Sequence, residues 1–410
     1  NTYAAVIKFN KSNEKYRITV RDYSEDIDYG SENGYQDAIT RMNNDILTGN
    51  APDLISLGNV NVKLMAQKGV FEDLGKYLDG SGQLKREDLV QSVLQAYTIN
   101  DTLCAIPTTF SIATLMSASS LVGDEMGWTV DEMLEVVAKM PEDAVIMEYP
   151  TKERVLTYML SYGADDYINW TERKCYFDSE DFIKILEFAN SFPADYSRDE
   201  DSPVMPELVE AGRLLLVDQS ISRLSDYQII HTIWGEPITC IGYPTAGSNG
   251  SVLNGNSAIA ISSKSKYKDA AWEFLEGFLL DSAENDRFSW GFSVIESKLQ
   301  AQFEEEMTPD YAMDENGEIM KDENGDPIEY SHSGWSFGNN VSYDLYSATQ
   351  DEADAVRKLI DNTTTLISRD TQTMSIITEE VAPYFEGQKS VQEVADIIQN
   401  RIQTYVDEIS

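Results

Sequence analysis

The sequence predicts an α/β protein built as two doubly wound lobes. Three observations carry that expectation. The chain has 410 residues, enough for two domains of ordinary size. Segments with a 3.6-residue apolar period alternate along it with short apolar runs of strand length, the order of an α/β fold and not of a helical bundle. Hydrophobic residues at 42% and aromatics at 10% are globular values that argue against disorder.

Taken in order, residues 1 to 10 read as a helix, with Ala4, Ala5, Ile7 and Phe9 in a polar setting. Tyr16 to Val20 alternates apolar with polar residues, as a half-buried strand does. After an Asp/Glu/Gly-rich loop from Asp22 to Gly34, a helix places Ala38, Ile39, Met42, Ile46 and Leu47 on one face. Gly49 fits its left-handed C-cap, and Pro52 cannot continue it. A short buried strand follows Pro52-Asp53, then a helix from Val60 to Gly69. Asn100-Asp101 marks a turn between strands. Pro107 cannot donate to a ladder, so it suits a point where the chain leaves one sheet for another.

Beyond Trp128 a helix opens with the capping box Thr129 to Glu132 and carries Met133, Leu134, Val137 and Met140 as its stripe. From Tyr149 to Phe192 the pattern is mostly helical, with a second amphipathic helix capped at Asp178 or Ser179. Ala211 to Leu224 reads as a Gly-Arg turn into a buried strand. The stretch from Ile238 to Leu280 reads as a strand, a Gly/Ser/Asn-rich turn, a second strand from Ser257 to Ile261, and a helix. That helix sets Ala271, Phe274, Leu275 and Phe278 at i, i+3, i+4 and i+7. Gly255 has no Cβ, so backbone amides there can come close to a ligand. From Met307 to Tyr346 the run Asp-Glu-Asn-Gly occurs at Asp314 and again at Asp322, which predicts a hairpin. The last helix has the capping box Ser390 to Glu393 and the stripe Val391, Val394, Ile398, Ile402, Tyr405 and Ile409.

Charge and composition exclude several functions. Asp plus Glu number 71 against 31 Lys plus Arg, a net charge of −40 that repels nucleic acid and anionic lipid. No run approaches the apolar length of a membrane span. Cys104, Cys175 and Cys240 are too few and too far apart for a disulfide framework. With only His231 and His332, most zinc and His-based catalytic arrangements are removed.

Gly334-Trp335-Ser336-Phe337-Gly338 matches the spacing of a nucleophile elbow, but a polar hairpin precedes it and no His follows His332. Paired carboxylates for glycoside hydrolysis carry no weight among 71 acids. The Asp26-Ile27-Asp28 loop and the two Asp-Glu-Asn-Gly turns lack the twelve-residue calcium-loop spacing and read as solvated acidic loops. Aromatic residues in loops are the better signal, because a sugar stacks its C–H face on a ring while its hydroxyls seek Asp, Asn, Arg and backbone groups. Tyr149, Trp234, Trp290, Phe292 and Trp335 are such residues, whereas Trp272, inside a helix, and Trp128, at a helix start, read as packed.

Several segments share a family pattern. Tyr243-Pro244, a glycine-rich loop, a small-residue strand, Ser263-Lys264 and then Lys268-Asp269-Ala270-Ala271-Trp272-x-Phe274 occur in that order. Ahead of them lie KFNKSNEKYRITVRDY, LTGNAPDLISLGN, GVFEDLGKYLD, the Pro107 crossing, the Trp128-Thr129-x-Asp131-Glu132 helix and AGRLLLVDQSISRL. This series resembles the carbohydrate-binding extracellular solute-binding proteins of ABC importers, the maltose-binding-protein-like group. Three features depart from that family. Its apolar strand ahead of the first helix does not precede Thr2, and the 307–346 segment is longer, with reach over the cleft expected. Its Trp near the strand end at Leu216 is also missing; Trp234 substitutes for it or the site is built differently.

The resemblance implies a two-lobe periplasmic-binding-protein-like fold, with a hinge and a ligand cleft between lobes. Lobe one would hold residues 1–107 and the return segment 256–300; lobe two would hold 108–255 and 301–410. The implied activity is hinge closure on a sugar or oligosaccharide and delivery to an ABC permease, by a monomer without cofactor, metal or catalytic residues. The implied setting is extracytoplasmic, with a lipid-anchored Cys upstream of Asn1. The cleft-lining residues it implies are Gly58, Asn59, Thr109, Phe110, Tyr149, Asp218, Arg223, Trp234, Asn254, Asn256, Trp290, Phe292 and Trp335. A peptide or polyamine as ligand, and a carbohydrate-active enzyme, are the competing readings.

Overall fold

The structure, a computed structural model, describes residues 2–31, 34–161, 164–197, 202–284, 290–338, 341–368 and 370–409. Helices alternate with short strands throughout. The first helix, Thr2–Ser12, turns Val6 inward and sets Phe9 edge-on to Phe274 at 5.6 Å. Strand β1 (Leu54–Ser56) follows the left-handed Gly49, as its C-cap role requires. Strands β2 (Thr98–Ile99) and β3 (Thr102–Leu103) form a hairpin whose two central residues, Asn100 and Asp101, both have positive φ, the geometry that matches strand twist.

Strand β4 (Thr109–Ala118) is the axis of the molecule, with all ten residues buried. Strands β5 (Ile168–Asn169) and β6 (Lys174–Cys175) make a small hairpin. Strands β7 (Val217–Ile221), β8 (Ile238–Cys240) and β9 (Val252–Asn256) all run antiparallel to β4. Strand β10 (Ile259–Ile261) pairs with β1, and β11 (Phe292–Ser293) pairs with the start of β4. Because β4 residues paired to β9 are also paired to β11 or β7, one edge of β4 holds β11 and β7 and the other holds β9 and β8. Strands β12 (Ser333–Ser336) and β13 (Ser342–Leu345) close a separate hairpin. Among the described residues these ladders are antiparallel, and parallel pairing is reduced to the single bridges Val145↔Leu214 and Leu253↔Leu366.

Two clusters of buried side chains flank the β4 sheet. The first gathers Ile55, Met65, Leu74, Phe110, Ile112, Leu253, Phe274 and Phe292. It also takes Tyr227 and Ile229 from the helix Leu224–Trp234 and Val356 from the helix Gln350–Asn362, stretches that the sequence assigns to the other lobe. The second gathers Leu115, Met133, Leu156, Phe177, Phe182 and Leu216, and is closed by Val394, Ile398 and Ile402 of the terminal helix Val391–Ile409. Each such side chain contributes roughly 1.5–3 kcal/mol by leaving water. The capping boxes at Thr129, Thr349 and Ser390 are formed, and Ser179 caps the helix Glu180–Asn190. Trp128 and Trp272 are buried, the latter stacked on Tyr77 at 5.1 Å.

The structure corrects several local expectations. Tyr16 to Val20 is extended but in no ladder: the side-chain amide of Asn10 takes both backbone groups of Ile18, at 2.7 and 2.9 Å, in place of a strand. Leu47 leaves the stripe of its helix, which ends at Asp45 and unwinds through Ile46–Asn50. Strand β9 takes up the end of the glycine-rich turn, and the strand expected from Ser257 begins at Ile259, because Ser257 takes a positive φ of 50°. The helical stretch from Tyr149 to Phe192 is interrupted by β5 and β6. In place of one hairpin, residues 311–329 fold back twice through turns at Asp314–Gly317 and Asp322–Gly325, held by bridges such as Tyr311↔Glu329. In those turns Asp314 accepts from the amides of Asn316 and Glu318, and Asp322 from those of Asn324 and Asp326. Asp28 does the same with Gly30; the Asp26 side chain lies outside the described residues.

Cys104, Cys175 and Cys240 are buried free thiols, each pushed up to about 12 by burial. Among the described residues no helix is long and apolar enough to cross a membrane.

Candidate functional site

Strand alternation gives β4 two faces. Phe110, Ile112 and Met116 enter the first core, while Ala113 and Leu115 enter the second. Residues directly opposite in a ladder share a face. Register therefore puts Asp218 beside Leu115, Ser220 beside Ala113, Asn254 beside Ser111, and Asn256 beside Thr109, all on the second-core side. That core stops short of the Thr109 end, and Ser220, in mid-sheet, is exposed to solvent. What is open along this strip is Ser220, with Asn254, Asn256 and the one carboxylate, Asp218, half-buried beside it and Thr109 and Ser111 buried.

At one end the strip is held to Trp290. Thr109 Oγ1 donates to the Trp290 carbonyl at 2.8 Å, and Asn256 Nδ2 reaches both that oxygen and Thr109 Oγ1 at 3.2 Å. Gly291 follows with φ +104°, and a Cβ there would stand 2.6 Å from the Phe110 carbonyl oxygen, so glycine is required. The indole of Trp290 is consequently projected outward, 74% exposed, with the Arg223 guanidinium over it at 5.1 Å. Arg223 is itself fixed at the start of the helix Leu224–Trp234. Asp226 Oδ2 accepts from the Ser222 and Arg223 amides at 2.8 and 3.1 Å, and Glu306 accepts from Leu224 and Ser225 at 3.1 and 3.0 Å. Burial raises the Glu306 carboxyl above its ordinary range, against the pull of those two amides.

The other end is aromatic. The Tyr243 hydroxyl donates to Asp218, whose carboxyl is raised by burial although Tyr243 and the charge of Arg154 act the other way. Arg154, in the helix Lys152–Ser161, lies over Tyr149 at 5.6 Å and donates to the Tyr158 hydroxyl at 2.8 Å. Tyr149 has φ +51°, a costly conformation for a bulky residue that persists only where its surroundings impose it. Its ring meets Tyr196 edge-on at 5.4 Å.

Of the residues singled out from sequence, the structure brings together Thr109, Asn256, Trp290 and Arg223, and sets Asn254 and Asp218 on the same face. Phe110 and Phe292 are corrected: they are 0% and 1% exposed, paired ring to ring at 5.7 Å beneath the strip, with no surface for a ligand. Trp234 and Trp335 are half-buried against the first core. Gly58 and Asn59 are exposed on the turn after β1, with Asn59 accepting from the Tyr35 hydroxyl at 3.1 Å. The Gly334–Gly338 run lies in the β12–β13 hairpin, without the strand-to-helix turn of a nucleophile elbow. Ser111, Arg154, Tyr196 and Tyr243 were missed, and Ser220 was covered only as part of the stretch from Asp218 to Arg223. The signal for Ser111 and Ser220 was their two-residue spacing from Thr109 and Asp218.

A second crevice, of about 510 Å³, separates the helix Val62–Gln67 from the β5–β6 hairpin and is lined by Asp166, Trp170 and Tyr176. Lys63 crosses it to Asp165 at 3.0 Å and Gln67 to Thr171 at 3.3 Å, so this helix is tied to the second core, which also takes Leu64.

A family model described as bacterial extracellular solute-binding protein matches residues 4–316. Comparison with curated proteins gives no match. Among solved structures, the sugar-binding protein MalE from the phytopathogen Xanthomonas citri is similar at 14% identity and TM-score 0.55, over 99% of this chain and 94% of that one. The ABC substrate-binding protein Lmo0181 from Listeria monocytogenes, in complex with cycloalternan, is similar at 13% identity and TM-score 0.51, over 99% and 95%. A structure described as a de novo designed esterase is similar at 16% identity and TM-score 0.51, over 100% and 95%. At such identities the likeness carries the two-lobe fold and leaves chemistry to be argued from the site.

Proposed function

This chain belongs to the bacterial extracellular solute-binding protein family, and we propose that it captures a neutral sugar or oligosaccharide on the strip between its lobes and hands it to an ABC permease. The observation that carries this reading is the outward Trp290 indole at the end of a row of neutral hydrogen-bonding side chains. An exposed ring offers a stacking face for sugar C–H groups, and Ser220, Asn254 and Asn256, which reach solvent where Thr109 and Ser111 do not, match hydroxyls that both donate and accept. MalE-like neighbours that are sugar-binding proteins agree with it.

The proposed closure turns on the two crossings between cores, Pro107–Thr109 and Gly255–Ser257. The change of ladder from β9 to β10 at the left-handed Ser257 supports a bend there. The lobe boundaries proposed are 1–107 with 256–300, and 108–255 with 301–410, except that the helices Leu224–Trp234 and Gln350–Asn362 go with the first core that they pack into. A ligand touching both lobes selects the closed form by its differential affinity. The same reading sets the protein outside the cytoplasm as a monomer, attached through a lipidated Cys upstream of Asn1.

The test is a thermal-shift screen with mono- and oligosaccharides, amino acids, peptides and polyamines. A ligand at 100 times its Kd stabilises the fold by about 2.7 kcal/mol and raises the melting temperature measurably. Shifts with one sugar class support the proposal. Shifts with polyamines or peptides alone overturn the sugar and keep the fold, and release of a hydrolysed product would make the protein an enzyme.

A further inference from the structure

Arg223 has a second neighbour besides Trp290. Arg223 also borders a crevice of about 860 Å³, which it shares with the root of the 307–346 segment. Its walls carry Ser225, Gln228, Asp310, Ser333 and Tyr346 along with Arg223. The root is fixed: the Tyr330 amide donates to the Asp310 carbonyl at 2.7 Å, and the His332 amide to that of Leu345 at 2.8 Å. The Glu306 carboxylate at its base is spent on the two amides that open the helix Leu224–Trp234.

We propose that this crevice is a distal subsite, which extends the ligand path past Trp290 and takes further units of a neutral oligosaccharide. The proposal rests on the sugar-binding reading of the strip and adds to it a length preference. Three features favour that class. The volume falls within the range of ordinary small-molecule sites. Half of the lining, Ser225, Gln228, Thr308, Ser331, Ser333 and Tyr346, carries hydroxyl or amide groups, which exchange donors and acceptors with a polyol without an ion to compensate. Asp310, Glu305 and Glu306 give the crevice a negative field against the one guanidinium of its lining, Arg223, which already faces Asp226 at 3.9 Å, and this disfavours uronic or sulfated chains. One wall, with Asp310, Ser333 and Tyr346, comes from the segment that departs from the family pattern, and the other, with Arg223, Ser225 and Gln228, from the start of the helix Leu224–Trp234, so the crevice exists only where the 307–346 segment meets that helix.

Isothermal titration with a ladder of neutral oligosaccharides, from monosaccharide to long chains, tests it. The native protein is expected to bind long chains at least about tenfold more tightly than short ones. Ser333→Trp, which fills the crevice, and Asp310→Ala, which removes a hydrogen-bond partner at its rim, should both abolish most of that gain and leave short-chain affinity within about twofold. An unchanged length dependence in both variants overturns the subsite. So does equal weakening at every length, which would mark a disturbance of Arg223, and so does tighter binding of polyuronates or amines that Asp310→Ala reverses. If no sugar of any length binds the native protein, it is the reading of the strip that fails.

Discussion

The two faces of β4 are made by one strand, in one ladder, yet they do opposite things. Phe110, Ile112 and Met116 are wholly excluded from water and hold the first core together. Thr109 and Ser111, one residue away each time, align with Asn254, Asn256, Ser220 and Asp218 on a face that ends in solvent. The strand's two-residue period separates stability from recognition by the width of one backbone. Substitutions on one face should therefore move stability, and those on the other should move affinity.

The largest effect expected is on the buried face. Phe110→Ala leaves a cavity beside Phe292 and should cost about 3–5 kcal/mol in urea unfolding, with ligand preference unchanged in the molecules that stay folded. Loss of selectivity in that folded fraction would join the two faces that the structure keeps apart. Next comes Trp290→Ala: affinity for the ligand should fall by about 2 kcal/mol or more, while stability stays within about 0.5 kcal/mol, since the indole is largely exposed. A lowered melting point with unchanged affinity would assign Trp290 to structure.

The smallest effect is the pH response of Asp218. Burial raises its folded pKa above the unfolded value, so the folded state holds its proton more tightly. Stability contributed by that proton is present at and below the ordinary carboxylate range and is lost as pH rises through the raised folded value. Asp218→Asn should flatten this part of the stability-versus-pH curve. An unaltered curve would mean that Tyr243 and Arg154 fully offset burial.

Much of the fold was legible because it is local. The boxes at Thr129 and Ser390, the cap at Ser179, the left-handed Gly49 and the Asn100-Asp101 turn each depend on residues within a few positions of one another. Tyr16–Val20 was misread for the complementary reason. Alternation makes a segment suitable for a ladder, but whether a strand lies alongside is not written in the segment, and here Asn10 answers for it.

The candidate site divides in the same way. Sequence alone determined that the chain changes sheets at Pro107, that glycines and asparagines cluster near Asn254–Asn256, and that Trp290 stands outside any helical stripe. Tertiary structure decided the rest. It buried Phe110 and Phe292, turned Trp290 outward over Gly291, and gathered Arg154, Tyr149 and Tyr243 around Asp218 from separate elements. Periodicity fixes which side of a strand a residue takes; only long-range contacts fix whether that side meets a core or water.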